Sequence, residues 1–232
     1  MATLPEYITR MLVYVRAEDT DQLDTEEKAA CVDAAVKEHS KYRPLVKYAE
    51  TAGDGNFDYA VPTDWIEGLS EVLSIEYPVD DTDRTQSWVD ADNHTLVNDG
   101  GSWKIRFMAD TPASGETFRL EYTTVHTLLD PTDTILSQDF NAVSMLAAAH
   151  ACASLAAKYA QSSESTLSVD ITSLATRRME LQAVGKSLRD RYFEAMGIDP
   201  KKTGSKPAMS DGDMDPKFAG RVDYLTHPRR YR

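Results

Sequence analysis

The stretch AVSMLAAAHACASLAAKYA, from Ala142 to Ala160, holds nine alanines and neither proline nor glycine. Alanine is the best helix former, and so long a run without a breaker predicts a helix to about Ala160. Such a helix has little side-chain bulk of its own. It buries surface only if other backbones come close to it. Two arrangements meet that need: the core of a bundle within one chain, or packing against a neighbour in a ring of repeated subunits. His150 lies mid-helix between alanines. It reads as a satisfied core or interface histidine, because no second histidine or carboxylate stands at metal-ligand spacing from it.

The rest of the chain supplies candidates for those neighbours. Leu4, Ile8, Met11, Leu12 and Val15 recur at helical spacing, with Pro5 in the first turn. After the acidic break EDTDQLD, Asp24 with Glu27 forms a capping box, and Glu26 and Glu27 suit the positive end of a helix. That helix turns Val32, Ala35, Val36 and His39 inward and stops near Tyr42, because Arg43 precedes Pro44. From about residue 56 to 126 the pattern becomes turns and period-two alternation. Asn98-Asp99-Gly100-Gly101 signals a hairpin, and Ile105 and Phe107 alternate with Lys104 and Arg106. Phe118, Leu120 and Tyr122 share one face, while Arg119 and Glu121 take the other. The expectation is an antiparallel module of about five strands. Ser137 is the expected cap of the alanine helix. A last helix, from about Ser173 to Met196, should end at Gly197. Its inward stripe is Leu174, Leu181, Val184, Leu188, Ala195 and Met196, and Arg177, Arg178, Arg189 and Arg191 face outward. The fold class expected is α+β: a four-helix bundle with an inserted antiparallel β module.

Beyond Gly197 the chain has four prolines among residues 200–232, few aliphatic residues and no periodicity, so it should form no core of its own. Residues 201–232 carry eight basic and four acidic side chains and end in HPRRYR. Ordering such a segment requires a partner surface.

Chemistry-bearing motifs are few. The 232 residues hold 38 acidic and 25 basic side chains, a net charge of −13, which argues against wrapping nucleic acid. Cys31 and Cys152, the only cysteines, read as buried free thiols. The N-terminus lacks the pattern of a signal peptide, and no stretch approaches about eighteen apolar residues, so no membrane association is expected. Asp211, Asp213 and Asp215 begin like a calcium loop, but Pro216 and Val222 stand where glycine and glutamate are required. Asp80, Asp81 and Asp83 read as a solvated loop. GDGN at Gly53 lacks the frame of a phosphate loop, and His39, His94, His126, His150 and His227 are scattered. No nucleophile–base pair is defined, so no catalytic residue, metal site or cofactor is expected and the chain reads as a non-enzyme. Trp65, Trp88 and Trp103 lie in or beside the β module, as core residues or as interface anchors.

Four stretches carry a resemblance: YRPLVKY, YAVPTDWIEGLSEVLSIEYPV, GSWKIRFMADTPASGETFRLEYTTVHTL and AVSMLAAAHACASLAAKYAQSSESTLSVD. Together, over roughly residues 40–197, they resemble the head–tail connector, or adaptor, proteins of tailed bacteriophages. The resemblance implies a four-helix connector bundle with an inserted β module and an extended C-terminal arm. The corresponding divisions are residues 1–50, 51–130, 131–197 and 198–232. It implies a virion protein of the neck between capsid and tail, made in the host cytoplasm. There a homo-oligomeric, dodecameric ring docks on the portal protein, takes part in viral genome packaging and receives the next neck or tail-completion protein. Double-stranded DNA passes through the channel without sequence-specific binding, which an acidic wall favours by repulsion. The portal-binding role falls on Lys217, Phe218, Arg221, Tyr224, Arg229, Arg230, Tyr231 and Arg232. Subunit contacts fall on Ala147, His150, Ala151, Tyr159, Arg177 and Arg178, and the neck or tail platform on Trp88 and Trp103. The alternatives are a stopper or tail-completion ring of the same neck, and a monomeric binding module.

Overall fold

The computed structural model describes residues 2–15, 17–79, 87–129, 132–161 and 168–199. The chain separates into two units, residues 1–192 and 193–232.

In the first unit, α1 (Leu4–Val13) opens with the Thr3 amide donating to Glu6 Oε2 at 2.7 Å and buries Tyr7 and Met11. A short α2 (Ala17–Thr20) follows. The expected box caps α3 (Thr25–Tyr42): the Glu27 amide donates to Asp24 Oδ1 at 2.7 Å, and the Asp24 amide to Glu27 Oε2 at 2.9 Å. Val32, Ala35, Val36 and His39 form its buried side. Pro44 then turns the chain into strand β1 (Leu45–Ala52), so the division expected at residue 50 falls inside a strand.

Six strands build two antiparallel sheets. In the first, β6 (Thr117–Thr124) lies between β1 and β3 (Val72–Glu76). In the second, β5 (Ser102–Phe107) lies between β2 (Asp58–Ala60) and β4 (His94–Asp99). The β4–β5 hairpin closes on Gly100 and Gly101, both at positive φ (60° and 93°). Two left-handed positions in a two-residue loop match the twist of the flanking strands, and glycine adopts them without steric cost. A short ribbon of β7 (Leu128–Leu129) and β8 (Thr132–Asp133) leads back to the helices. The two sheets share one aromatic core. Ile75, Phe118, Leu120 and Tyr122 of the first meet Tyr59, Ile105 and Phe107 of the second. Tyr59, Phe107 and Phe118 interlock edge to face, with centroids 4.9–5.6 Å apart. Such ring pairs contribute roughly 0.5–1.5 kcal/mol each beyond the area they bury.

The alanine helix, α4 (Phe140–Gln161), starts from a single turn at Ser137–Asp139. Its buried residues include the consecutive run Leu146, Ala147, Ala148 and Ala149, so burial extends around the helix instead of along one stripe. The last helix, α5 (Ser168–Met196), buries Leu181, Gly185, Leu188 and Tyr192 along the first unit, while Val184 is exposed, against expectation. In the second unit Gly197, at positive φ, closes the helix as expected, and the Ile198 amide donates to Phe193 O at 2.9 Å.

The four-helix bundle expected from the sequence is therefore not what forms. In such a bundle each helix shows one apolar stripe. Here α4 is a central rod buried on several sides, α1 is only 10 residues against the 22 of α4, and the strands form two sheets and a ribbon beside the helices. The class remains α+β. The expected extended arm lies outside the described residues. Ser137–Gln161 is also long and apolar enough, by length and composition, to cross a membrane, contrary to the sequence expectation; most of it is buried inside the chain, as in a core helix.

Candidate functional site

The outer face of the first sheet carries charge where its inner face carries the core. Alternation places Tyr48 and Glu50 of β1, Arg119 and Glu121 of β6, and Ser74 and Glu76 of β3 on that outer side. Register then pairs them: Tyr48 and Ser74 lie opposite Glu121, and Glu50 and Glu76 lie opposite Arg119. Each pair is bonded. Glu121 accepts from Tyr48 Oη at 2.9 Å and from Ser74 Oγ at 2.5 Å. Arg119 donates through Nε and Nη2 to Glu50 Oε1, at 2.9 and 2.7 Å, and through Nη1 to Glu76 Oε2 at 3.1 Å. The hydrogen bond to Glu121 raises the Tyr48 hydroxyl above the usual phenol range, so it stays a donor.

Beyond β3, Trp88 bridges to Glu76 and extends the face by one more position. Tyr48 and Trp88, 62% and 51% exposed, thus stand at opposite sides of a charged floor. With strands about 4.8 Å apart, three strand spacings separate them by roughly 14 Å. The depression they enclose with Glu76, Arg119 and Glu121 has a volume of about 520 Å³. Formally, among the described residues, three carboxylates (Glu50, Glu76, Glu121) and one guanidinium (Arg119) give this floor a charge of −2. Leu73, the extra residue where the β3 register shifts, and Val46 on β1 add exposed apolar surface nearby. An open, aromatic-sided and acidic face suits contact with another chain better than enclosure of a small reactant.

Of the residues anticipated from sequence, Trp88 lies in this face. Trp103 lies on β5 of the other sheet, its buried Nε1 without a partner among the described residues, so the structure does not bring the two together. Of the anticipated subunit contacts, Ala147, His150, Ala151, Tyr159 and Arg177 make contacts within the chain. Ala147 and Ala151 are fully buried in its own helical packing and offer a neighbour no surface. His150 Nε2 meets Glu38 at 3.0 Å, and Arg189 meets the other Glu38 oxygen. Tyr159 Oη donates to Asp19 at 2.9 Å, and Arg177 Nε donates to the same carboxylate at 3.1 Å. Arg178 keeps a buried Nε without a partner among the described residues. Lys217, Phe218, Arg221, Tyr224, Arg229, Arg230, Tyr231 and Arg232 lie outside the described residues.

Period-two alternation puts Arg119 and Glu121 on the outward face but does not point to Tyr48, Glu50 and Glu76 as their partners. The usable signal was the alternation of Val46, Tyr48 and Glu50 after Pro44. Among the described residues no group of three His, Cys, Asp or Glu is arranged to hold a metal ion. Both cysteines are buried and free, and burial pushes the Cys152 thiol up to about 11, away from thiolate chemistry. No protein-family model matches the chain, and no curated protein matches it.

Proposed function

We propose that this chain is a structural subunit working through protein contacts, a head-to-tail adaptor in the neck of a tailed phage. The observation that carries the reading is the outer face of the first sheet, where exposed Tyr48 and Trp88 flank a charged floor. Aromatic side chains around fixed polar groups are the usual make-up of interface anchors. The four stretches that resemble connector proteins supply the assembly. In that assembly the subunit closes a ring with its copies, docks on the portal and presents a platform to the next neck protein. Because Ala147 and Ala151 are spent internally, ring closure falls to exposed apolar side chains such as Val13, Met179 and Val184. The net charge of −13 favours a channel that repels passing DNA.

Electron microscopy of the purified chain mixed with portal rings of the same virion tests the proposal. A ring of this protein seated on the portal is expected, and deletion of residues 217–232 should abolish or weaken attachment while leaving circular dichroism unchanged. A chain that stays monomeric and never seats on the portal sinks the adaptor reading. A second reading, a stopper or tail-completion ring, is favoured by the two-sheet sandwich; it predicts binding to an assembled portal–adaptor neck and none to the bare portal.

A further inference from the structure

We infer that β1 is a docking edge for an extended, arginine-bearing segment of a partner protein, which joins the first sheet as an additional strand.

The backbone comes first. β1 is eight residues long, contains no proline, keeps unbroken register with β6 and has no other strand partner among the described residues. On an antiparallel edge strand every second residue points its amide and carbonyl away from the sheet. Among the described residues, no backbone group of β1 bonds to anything but β6. Natural edge strands of this length are commonly shortened, bulged or covered. The opposite side of this same sheet has those features: β3 is five residues long, carries a register shift and is bridged by Trp88. β1 has none of these three, and its inward charge, Lys47, is held by Asp64 at 2.7 Å, which leaves the form used in strand addition.

The side chains then select the occupant. A strand laid against β1 continues the outer face, so its alternate residues sit beside Val46, Tyr48 and Glu50. Glu50 is half-exposed, and both of its bonds to Arg119 use Oε1, leaving Oε2 for an incoming cation. Glu121 lies one strand further in, and the exposed Tyr48 ring between them offers a face to a guanidinium. The floor already holds one arginine, and its formal −2 charge complements further cationic groups. The same geometry disfavours an acidic strand, and a second copy of β1 would add another Glu50 and no outward cation to that face. The inward residues of the added strand meet Lys47, Ala49 and Thr51 and are best small or apolar.

This inference does not depend on the connector reading, because the partner is defined by charge and extended conformation alone. The test uses the full chain with two labelled nonapeptides, one alternating arginine and valine and one alternating glutamate and valine. Fluorescence anisotropy should show saturable binding of the first and much weaker binding of the second. Amide exchange across residues 45–52 should slow on adding the arginine peptide, and Glu50→Gln should weaken its binding several-fold with the fold unchanged. Tyr48→Ala gives a second surface variant with the same expected direction. Equal binding of both peptides, no binding, or binding that leaves β1 exchange unaltered overturns the inference. Self-association that protects β1 without any peptide also overturns it, in favour of a second copy as the occupant.

Discussion

His39 sits at the end of α3, almost fully buried, with Nδ1 3.1 Å from the Tyr192 hydroxyl and its ring 5.4 Å from that of His126. Burial, followed by the neighbouring His126, drives its pKa down from 6.5 to about 4; Asp139 opposes this weakly and Arg43 adds to it. A histidine with a depressed folded pKa stabilises the fold above its unfolded pKa, because below that value the unfolded chain takes up a proton that the native chain refuses. The contribution is therefore complete at neutral pH and is lost between about pH 6.5 and 4, up to roughly 3 kcal/mol in all. Against the cost of its burial, bonds to His150 and Arg189 hold the Glu38 carboxyl below the ordinary range, so its share is present above the ordinary carboxylate pKa and is lost as the pH falls through the folded one. Urea midpoints at pH 7 and pH 5 should fall for the native chain and fall less for His39→Leu. Equal falls would assign the pH dependence to other groups. Gly185 presents the opposite problem, one of space. A Cβ there would lie 3.2 Å from Cys152 Cβ and 3.3 Å from Ala149 O, both on α4. Alanine gains about 1 kcal/mol in helix propensity but must push the helices apart. Gly185→Ala should therefore lower stability by up to about 2 kcal/mol net, seen as a lower thermal midpoint; a higher midpoint would show that the helices can yield.

At the scale of elements, the buried Asp19 carboxylate ties three helices together. It lies on α2, accepts from Tyr159 of α4 and is clasped by Arg177 of α5, which also reaches Glu180 at 3.1 Å. A four-residue helix has too few internal bonds to hold itself, so α2 depends on this clasp. Arg177→Met leaves Asp19 buried with one partner fewer and should cost about 3 kcal/mol. The double variant Asp19→Asn with Arg177→Met should cost less than the sum of the singles, and strict additivity in urea titrations would mean the pair is not coupled. Elements with local signals were legible in the sequence. Asp24 with Glu27 and Pro44 marked both ends of α3, and Asn98 to Gly101 marked the hairpin. β1 was not legible as part of a sheet, because its partner strand β6 is about seventy positions away and its mixed residues fit several patterns. The alanines of α4 announced a helix but could not say whose backbones would meet it. The Asp19–Arg177 clasp spans 158 positions, and nothing in local spacing points to it. The interaction face was half visible for the same reason: period-two alternation showed which side chains face outward, but not which strands stand beside them.

At the scale of the molecule, residues 1–192 hold two kinds of core. One is built of small residues around α4 and the other of aromatics between two sheets. The junction between them is polar and passes through His126, just after β6. Its amide donates to Ser40 Oγ of α3 at 3.0 Å. Its Nε2 is 2.9 Å from the Arg43 carbonyl and donates to it, since a carbonyl only accepts; Nδ1 lies 3.1 Å from both the carbonyl and the Oγ1 of Thr134. Arg43 itself continues the chain of contacts to Asp139, at the foot of α4. One ring thus joins the end of α3, the return ribbon and the strand leaving the sandwich. His126→Ala keeps the amide bond but removes both ring bonds and leaves the Arg43 carbonyl without this donor, a cost of about 2–3 kcal/mol. The more telling outcome is cooperativity. All three tryptophans, Trp65, Trp88 and Trp103, lie in the β region, so their fluorescence follows the sandwich, while far-ultraviolet circular dichroism is dominated by the helices. In the native chain the two signals should melt together, as a coupled two-state unit does. In His126→Ala the midpoints should separate, because each core can then open without the other. If both signals still coincide at a lower midpoint, the junction adds stability but does not transmit it, and the two cores are joined by packing alone.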